Sequence, residues 1–80
     1  MLKYKINVGD ALERAGFTSY SAKTSGLLSQ ETLKKIKNEN TDISLKSLNN
    51  ICMILDLQPK DIIEFCYNDE EKEKINNFKK

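Results

Sequence analysis

Apolar residues recur at helical spacing near the start of the chain. Within residues 8–15 the apolar side chains lie three and four positions apart, which is typical of the buried face of a helix. Asn7 or Asp10 can cap such a helix, and Gly16 stands where a helix ends in a left-handed conformation. We therefore predict a first amphipathic helix here, followed by Phe17 as a core side chain.

Two short helices with a turn between them are predicted next. Thr18 or Ser19 begins the first of the pair, and Gly26 ends it. Ser29 is a strong N-cap for the second, which we expect over residues 30–38. The inward side chains of this second helix are Leu33 and Ile36.

A longer apolar stripe marks a fourth helix. Ser44 caps it, and its apolar side chains recur three and four positions apart. These side chains are Leu45, Leu48, Ile51, Cys52 and Leu55. Pro59 suits the first turn of a fifth, short helix. The side chains expected to close the core after it are Ile62, Ile63 and Phe65.

The two ends of the chain carry different patterns. Residues 2–8 alternate between apolar and polar side chains, which predicts a strand that pairs with another segment or a second subunit; an ordered arm without strand pairing is the alternative. Residues 68–80 begin with acids and end with lysines, an order that stabilises a helix. This charged tail either docks through Ile75 and Phe78 or frays. The predicted organisation is one domain over residues 1–67, followed by the tail.

Composition narrows the class of protein. The chain has 80 residues, 39% hydrophobic and 31% charged, so one small globular domain is expected rather than a disordered chain. No apolar run approaches the roughly 18 residues of a membrane-spanning helix. The first residues lack the apolar stretch of a secretory signal. We therefore expect a cytoplasmic protein without a membrane partner.

Residues suited to catalysis or metal binding are few. Histidine is absent, and Cys52 and Cys66 alone cannot complete a four-ligand zinc site. Because a reducing compartment is expected, reduced core thiols are favoured over a disulfide between them. We predict no enzyme activity, no catalytic residue, no metal site, no cofactor and no small-molecule ligand.

Charge is unevenly distributed along the chain. Residues 1–48 carry eight basic and five acidic side chains, a net of +3, whereas residues 49–80 carry five basic and seven acidic ones, a net of −2. A polyanion would therefore meet the first part of the chain rather than the second.

The spacing within residues 18–38 is that of a helix-turn-helix. In this arrangement the first helix supports the second, whose N-terminal residues reach base edges in the DNA major groove. The outer side chains of the second helix suit this chemistry, because Gln pairs with adenine, Lys with guanine or phosphate, and Glu with cytosine. The helix start at Ser29 also offers main-chain amides to a phosphate.

Residues 18–36 resemble the helix-turn-helix of Cro/CI-type regulators, the lambda-repressor-like or xenobiotic-response-element-type proteins. Ala22 matches the small residue of the supporting helix, and Gly26 matches the glycine of the turn. The recognition-helix frame of that family is matched by Ser29, Thr32, Leu33 and Ile36. Residues 44–65 are similar to the family's fourth and fifth helices, so the resemblance extends over about residues 7–67.

The sequence departs from the family's pattern in three places. One extra residue lies between the turn glycine and Ser29, because Leu27 and Leu28 stand where the tighter pattern has a single apolar residue. Ser21 occupies a position where leucine is usual, and Lys37 one where an acid is frequent. The first departure changes the expected turn, and the last adds positive charge.

The resemblance implies an all-α fold: a five-helix lambda-repressor-like DNA-binding domain, with a short N-terminal strand and a C-terminal tail helix if those segments order. It implies that bases are contacted by Gln30, Glu31, Lys34 and Lys35. It implies that phosphate contact or positioning falls to Ser19, Ser29, Lys37, Asn38, Asn40, Ser44 and Lys46. The alternative for each lysine is a solvated surface cation, and Ser29 acts as a helix cap in either case.

The resulting hypothesis is a sequence-specific binder of double-stranded DNA that represses transcription as a homodimer, with half-sites about one helical turn (~34 Å) apart. The alternative is an antitoxin or anti-repressor that binds another protein through its acidic second part. The resemblance also implies a bacterial, mobile-element or phage origin. Candidate dimer surfaces are the N-terminal arm, the fifth helix, the tail, and a strand exchanged between residues 2–8 and 64–67 of two subunits.

Overall fold

The computed structural model describes residues 1–79, and this part of the chain is mostly helical. The order of elements is β1 (Leu2–Tyr4), α1 (Val8–Arg14), α2 (Ser19–Ser25), α3 (Gln30–Lys37), α4 (Leu45–Leu55), α5 (Pro59–Ile62), β2 (Ile63–Phe65) and α6 (Asp69–Phe78). The five predicted helices, the N-terminal strand and the tail helix are thus confirmed. The third helix ends one residue earlier than predicted, with Asn38 as its C-cap.

Local capping chemistry sets the helix boundaries. The N-cap side chain accepts a hydrogen bond from the main-chain N–H three residues later at Asn7, Thr18, Ser29, Ser44 and Asn68. Gly26 closes α2 with φ 70°, and Gly16 follows α1 with φ 83°. Glycine adopts this left-handed conformation without the Cβ clash that other residues meet, so both helices end where the sequence predicts.

One hydrophobic core joins the first five helices. Its buried side chains are Val8, Leu12, Phe17, Ala22, Leu28, Leu33, Ile36, Leu48, Ile51 and Ile62. Two side chains that the sequence assigns to the core lie outside it: Leu45 is 82% exposed and Phe65 is 53% exposed. Leu45 is the first residue of α4, beyond the turns that pack through Leu48 and Ile51. Phe65 ends β2, where the chain leaves the core.

The N-terminal segment forms a strand, but a shorter one than its alternation predicts. β1 pairs antiparallel with β2, with Leu2 opposite Phe65 and Tyr4 opposite Ile63. The ladder stops at Lys5, whose N–H donates to the Ile62 carbonyl at 2.8 Å. Both strands belong to one chain here, and the exchange of this strand between two subunits stays a prediction. The chain folds back far enough to satisfy β1 itself.

The tail is a helix that projects from the domain. Its first turn forms a capping box. Asn68 Oδ1 accepts from the Glu71 N–H at 2.8 Å, and Glu71 Oε1 accepts from the Asn68 N–H at 3.3 Å. The Met1 amino group donates to Glu71 Oε1 and to the Cys66 carbonyl, which ties the start of α6 to the sheet. The described part of the chain extends over 50 × 21 × 18 Å. Lys80, predicted at the end of this helix, lies outside the described residues.

Candidate nucleic-acid interface

The turn between α2 and α3 accommodates the extra residue. The Gly26 N–H donates to the Ala22 carbonyl at 3.0 Å, which turns the chain out of α2. Leu28 then enters the core and is 2% exposed, while Leu27 packs partly buried against the same core. Leu27 and Leu28 therefore both contact the core, where the tighter family pattern has one apolar turn residue. Helix α3 packs on both α1 and α2.

Asn50 of α4 stabilises this turn through a hydrogen bond to its main chain. Its Nδ2 donates to the Leu27 carbonyl at 2.8 Å in a partly buried setting. Asn50 is not among the residues that the sequence pattern assigns to the interface. The sequence feature that could have indicated its role is a polar residue between Leu48 and Ile51, two buried positions of the apolar stripe of α4. Because a carbonyl removed from water needs a hydrogen-bond donor, Asn50 fixes the path of the chain into α3.

The outer side of α3 is polar and exposed. Leu33 and Ile36 are buried, so the 3.6-residue period of the helix turns Glu31 and Lys34 to the opposite side. Gln30, Lys37 and Asn38 are exposed as well, but Lys37 lies beside Gly9 of α1 rather than on the outer side of α3. The outer side of the helix thus presents one exposed lysine and one carboxylate, groups that can hydrogen-bond to base edges.

Gln30 is held in place by the supporting helix. Its Nε2 donates to the Ser19 main-chain carbonyl at 3.0 Å, which brings together two residues that the sequence assigns to the interface. One amide hydrogen and the amide oxygen of Gln30 remain for a base edge. A side chain already ordered in this way loses less conformational entropy when it binds.

Lys35 and Asn40 are turned toward the loop that follows α3. Lys35 is half-buried, and its Nζ donates to the Asp42 carbonyl at 3.3 Å. Asn40 Oδ1 accepts from the Asp42 N–H at 2.8 Å, and the Asn40 carbonyl accepts from the Tyr4 hydroxyl at 2.8 Å. Burial raises the pKa of Tyr4, so its hydroxyl keeps the proton that makes this bond. These contacts order the loop between α3 and α4.

The starts of α3 and α4 are both capped by a serine hydroxyl that also pairs with a second hydroxyl three residues later. Ser29 Oγ accepts from the Thr32 N–H at 3.0 Å and donates to the Thr32 hydroxyl at 2.9 Å. Ser44 Oγ accepts from the Ser47 N–H at 3.0 Å and pairs with the Ser47 hydroxyl at 3.0 Å. Each pair leaves the two preceding amides of its helix open to a ligand. Lys46, which is exposed in the first turn of α4, adds a positive charge there.

The starts of α5 and α6 are built differently. The third residue of each helix is acidic, and Asp61 and Glu71 accept the main-chain N–H of Gln58 and Asn68. A carboxylate at this position neutralises the positive end of the helix. The first turn of α4 has no acidic residue, whereas Glu31 lies in the first turn of α3, so the open amides after Ser44 meet an anion without an opposing carboxylate.

Metal binding, thiol pairing and membrane insertion were compared with the arrangement of residues 1–79. This part of the chain contains no group of three or more Cys, Asp and Glu residues placed to hold a metal ion. Cys52 and Cys66 are both free and half-buried. None of the described helices has the length and apolar character needed to cross a membrane.

Comparison with known proteins identifies the family. The model of the Cro/C1-type HTH DNA-binding domain matches residues 22–66, which is more than half of the chain and extends from within α2 to the end of the sheet. Searches of curated proteins and of solved structures give no significant match. The matched region contains the turn, α3, the ordered loop and both serine-capped helix starts. The chain therefore belongs to the Cro/C1-type helix-turn-helix DNA-binding family.

Proposed function

We propose that this DNA-binding domain is a sequence-specific repressor of transcription in a bacterial cytoplasm, which inserts α3 into the major groove and acts as a homodimer. The observation that carries the proposal is the exposed polar side of α3, held between the turn braced by Asn50 and the loop ordered by Lys35. A rigid helix of this kind matches the width of the major groove. Occupying a promoter requires no chemistry beyond such binding.

The base-reading residues follow from the exposed side of α3. Gln30, Glu31 and Lys34 are free to meet base edges, and Gln30 is already oriented by the Ser19 carbonyl. Lys35 joins them only if its ammonium leaves the Asp42 carbonyl, so we expect Lys34 to contribute more than Lys35. Glu31 would accept from a cytosine amino group and disfavour other bases at that position.

Phosphate contacts are proposed at the two serine-capped helix starts. The open amides after Ser29 and Ser44 would each bind a backbone phosphate, and Lys46 would strengthen the second contact. Ser19, Lys37, Asn38 and Asn40 would flank these contacts and position the domain on the duplex. Contacts of this kind carry affinity and register, whereas the base contacts carry specificity.

Selection from a randomised pool of duplex DNA tests the proposal. We expect enrichment of an inverted repeat, because a symmetric dimer reads two half-sites. Enrichment of one short unrepeated motif would retain specific binding and overturn the homodimer. No enrichment at low salt, from protein with a cooperative unfolding transition, would overturn the function.

A second function is favoured by one observation, the exposed aromatic side chains around the sheet and α6. Phe65, Tyr67 and Phe78 are all exposed, as on a surface that binds another protein. An antitoxin or anti-repressor would bind its partner protein through that surface. The exposed side of α3 would then either bind DNA or have no ligand. Weak DNA affinity that changes little with salt, together with tight binding of a protein partner, would favour this alternative.

A further inference from the structure

The N-terminal strand is bonded to the loop between α3 and α4. The Tyr4 hydroxyl donates to the Asn40 carbonyl at 2.8 Å, and the Thr41 hydroxyl donates to the Leu2 carbonyl at 3.4 Å. The same strand is paired with β2. β1 therefore connects this loop to the sheet, although the loop and the strand are more than 30 positions apart along the chain.

The ring of Tyr4 is fixed by packing, and its hydroxyl reaches the main chain of the loop. Tyr4 is half-buried against the core, and so is Ile43 of the loop. Both side chains line one small cavity together with Ser44, the N-cap of α4. Because the ring is held in place, its hydroxyl is a fixed donor for the Asn40 carbonyl.

The loop needs a restraint, because one of its residues has an unfavourable main-chain conformation. Glu39 has φ 59°, in the left-handed region where a Cβ atom clashes with the main chain. A residue other than glycine stays there only when its surroundings hold it. Both main-chain groups of the next residue, Asn40, are bonded: its N–H donates to the Lys35 carbonyl of α3 at 2.8 Å, and its carbonyl accepts from Tyr4 of β1.

The loop connects the two helices of the proposed DNA interface. It follows α3 and ends at Ser44, the N-cap of α4. A shift of the loop would therefore change the position of the α4 start relative to the exposed side of α3. β1 precedes residues 22–66, so the strand that holds this loop lies outside the region that the family model matches.

We propose that β1 is a positioning element for DNA binding and that Tyr4 is its positioning residue, which holds the loop so that α3 and the start of α4 meet DNA together. The inference rests on the DNA binding of the proposed function, and Tyr4 acts on that binding through the loop. The bond to Asn40 lies near the surface, where water can replace the hydroxyl. It therefore fixes the position of the loop more than it stabilises the fold.

Replacing Tyr4 with phenylalanine tests the inference, because the ring is kept and only the donor is lost. We expect the affinity for duplex DNA selected by the wild-type chain to fall about three- to tenfold, the range that one net hydrogen bond of this kind is worth. The midpoint of urea unfolding should stay nearly unchanged. Tyr67→Phe is the matched control, because Tyr67 is an exposed tyrosine that follows β2 and lies outside the loop.

Glu39→Gly, made in the wild type and in Tyr4→Phe, distinguishes positioning from a role in folding alone. Glycine adopts the left-handed conformation without strain, so the loop of this variant depends less on Tyr4. Loss of the Glu39 carboxylate should raise DNA affinity by the same factor in both backgrounds. We expect an additional gain of affinity in Tyr4→Phe, since the two residues act on one loop and their effects are not additive.

The possible results separate this inference from the proposed function. Full affinity in Tyr4→Phe, for DNA that the wild type binds specifically, would overturn the inference and leave the function intact. A loss of affinity that matches a loss of unfolding stability, without an additional gain from Glu39→Gly, would assign Tyr4 to folding alone and overturn the inference as well. A folded wild-type chain that selects no DNA would overturn the proposed function, and the inference with it.

Discussion

The side-chain amide of Asn50 in α4 donates a hydrogen bond to the main-chain carbonyl of Leu27, 2.8 Å away in the turn before α3. The two residues are 23 positions apart. Through this bond α4, which contributes to the core, sets the path by which the chain enters α3. The orientation of α3 thus depends on a residue that lies outside it.

Replacing Asn50 with alanine should weaken DNA binding and lower stability together. The Leu27 carbonyl would lose its donor in a partly buried setting, a cost of about 1–3 kcal/mol. Urea unfolding and operator affinity measure the two effects. Asn49→Ala is the matched control, because Asn49 is exposed and its amide bonds only to Asn50. Full operator affinity in a folded Asn50→Ala variant would contradict the bracing role.

Loss of both Lys34 and Lys35 should abolish specific binding, while the helical content and melting temperature stay nearly unchanged. The single variants should differ, since Lys34 is exposed and Lys35 is bonded to the Asp42 carbonyl. Lys34→Ala should lower the salt dependence of binding by about one unit of slope if it meets a phosphate, or relax specificity at one base if it meets guanine. Lys60→Ala removes an exposed lysine from α5 as a control. Equal operator affinity in the double variant would refute the proposed role of α3.

Two substitutions at Ser44 should separate its capping role from phosphate contact. Ser44→Ala removes the cap of α4 and should cost about 1 kcal/mol of stability. Ser44→Asp retains a capping oxygen but adds a negative charge at the helix start, so it should keep stability and weaken DNA binding severalfold. Thermal unfolding and DNA affinity report the two roles. If Ser44→Asp binds DNA as tightly as the wild type, no phosphate lies at this helix start.

Leu48 and Leu45 belong to the same predicted stripe but should respond differently to truncation. Leu48→Ala should destabilise the domain by roughly 2–5 kcal/mol, because Leu48 is buried in the core. That loss is a large part of the stability of a domain this small. Leu45→Ala should change the free energy of unfolding little, since this side chain is already in water. Similar losses in both variants would contradict the observed burial.

The tie between α6 and the sheet should weaken in acid. The hydrogen bond from the Met1 amino group lowers the pKa of Glu71 below its ordinary value of 4.5, and the Asn68 N–H lowers it further. Because the folded-state pKa is depressed, this stabilisation is fully present above pH 4.5 and is lost as the pH falls through the lowered pKa. Amide exchange along α6 measures the effect, and Glu71→Gln should remove its pH dependence. An acid response that survives in Glu71→Gln would exclude this carboxylate as its source.

Local chemistry explains why so much of this fold was predictable. The caps at Ser29 and Ser44, the turn at Gly26 and the inward positions Leu33 and Ile36 depend on residues within about one helical turn, and a sequence displays such relations directly. The helices of the DNA-binding domain and the exposed side of α3 follow from them. The resemblance to Cro/CI-type regulators depends on the same residues and is confirmed over residues 22–66.

The sequence by itself therefore determined the helices, their caps and the family, whereas the tertiary structure alone decided which predicted side chains are free to act. In the folded chain Phe65 is exposed, Lys35 donates to the Asp42 carbonyl, and β1 pairs with β2 of the same chain. The tertiary structure also assigned Asn50 to the turn. The physical reason is distance along the chain: packing creates contacts between remote residues, and residue type and periodicity record only what happens within a few positions.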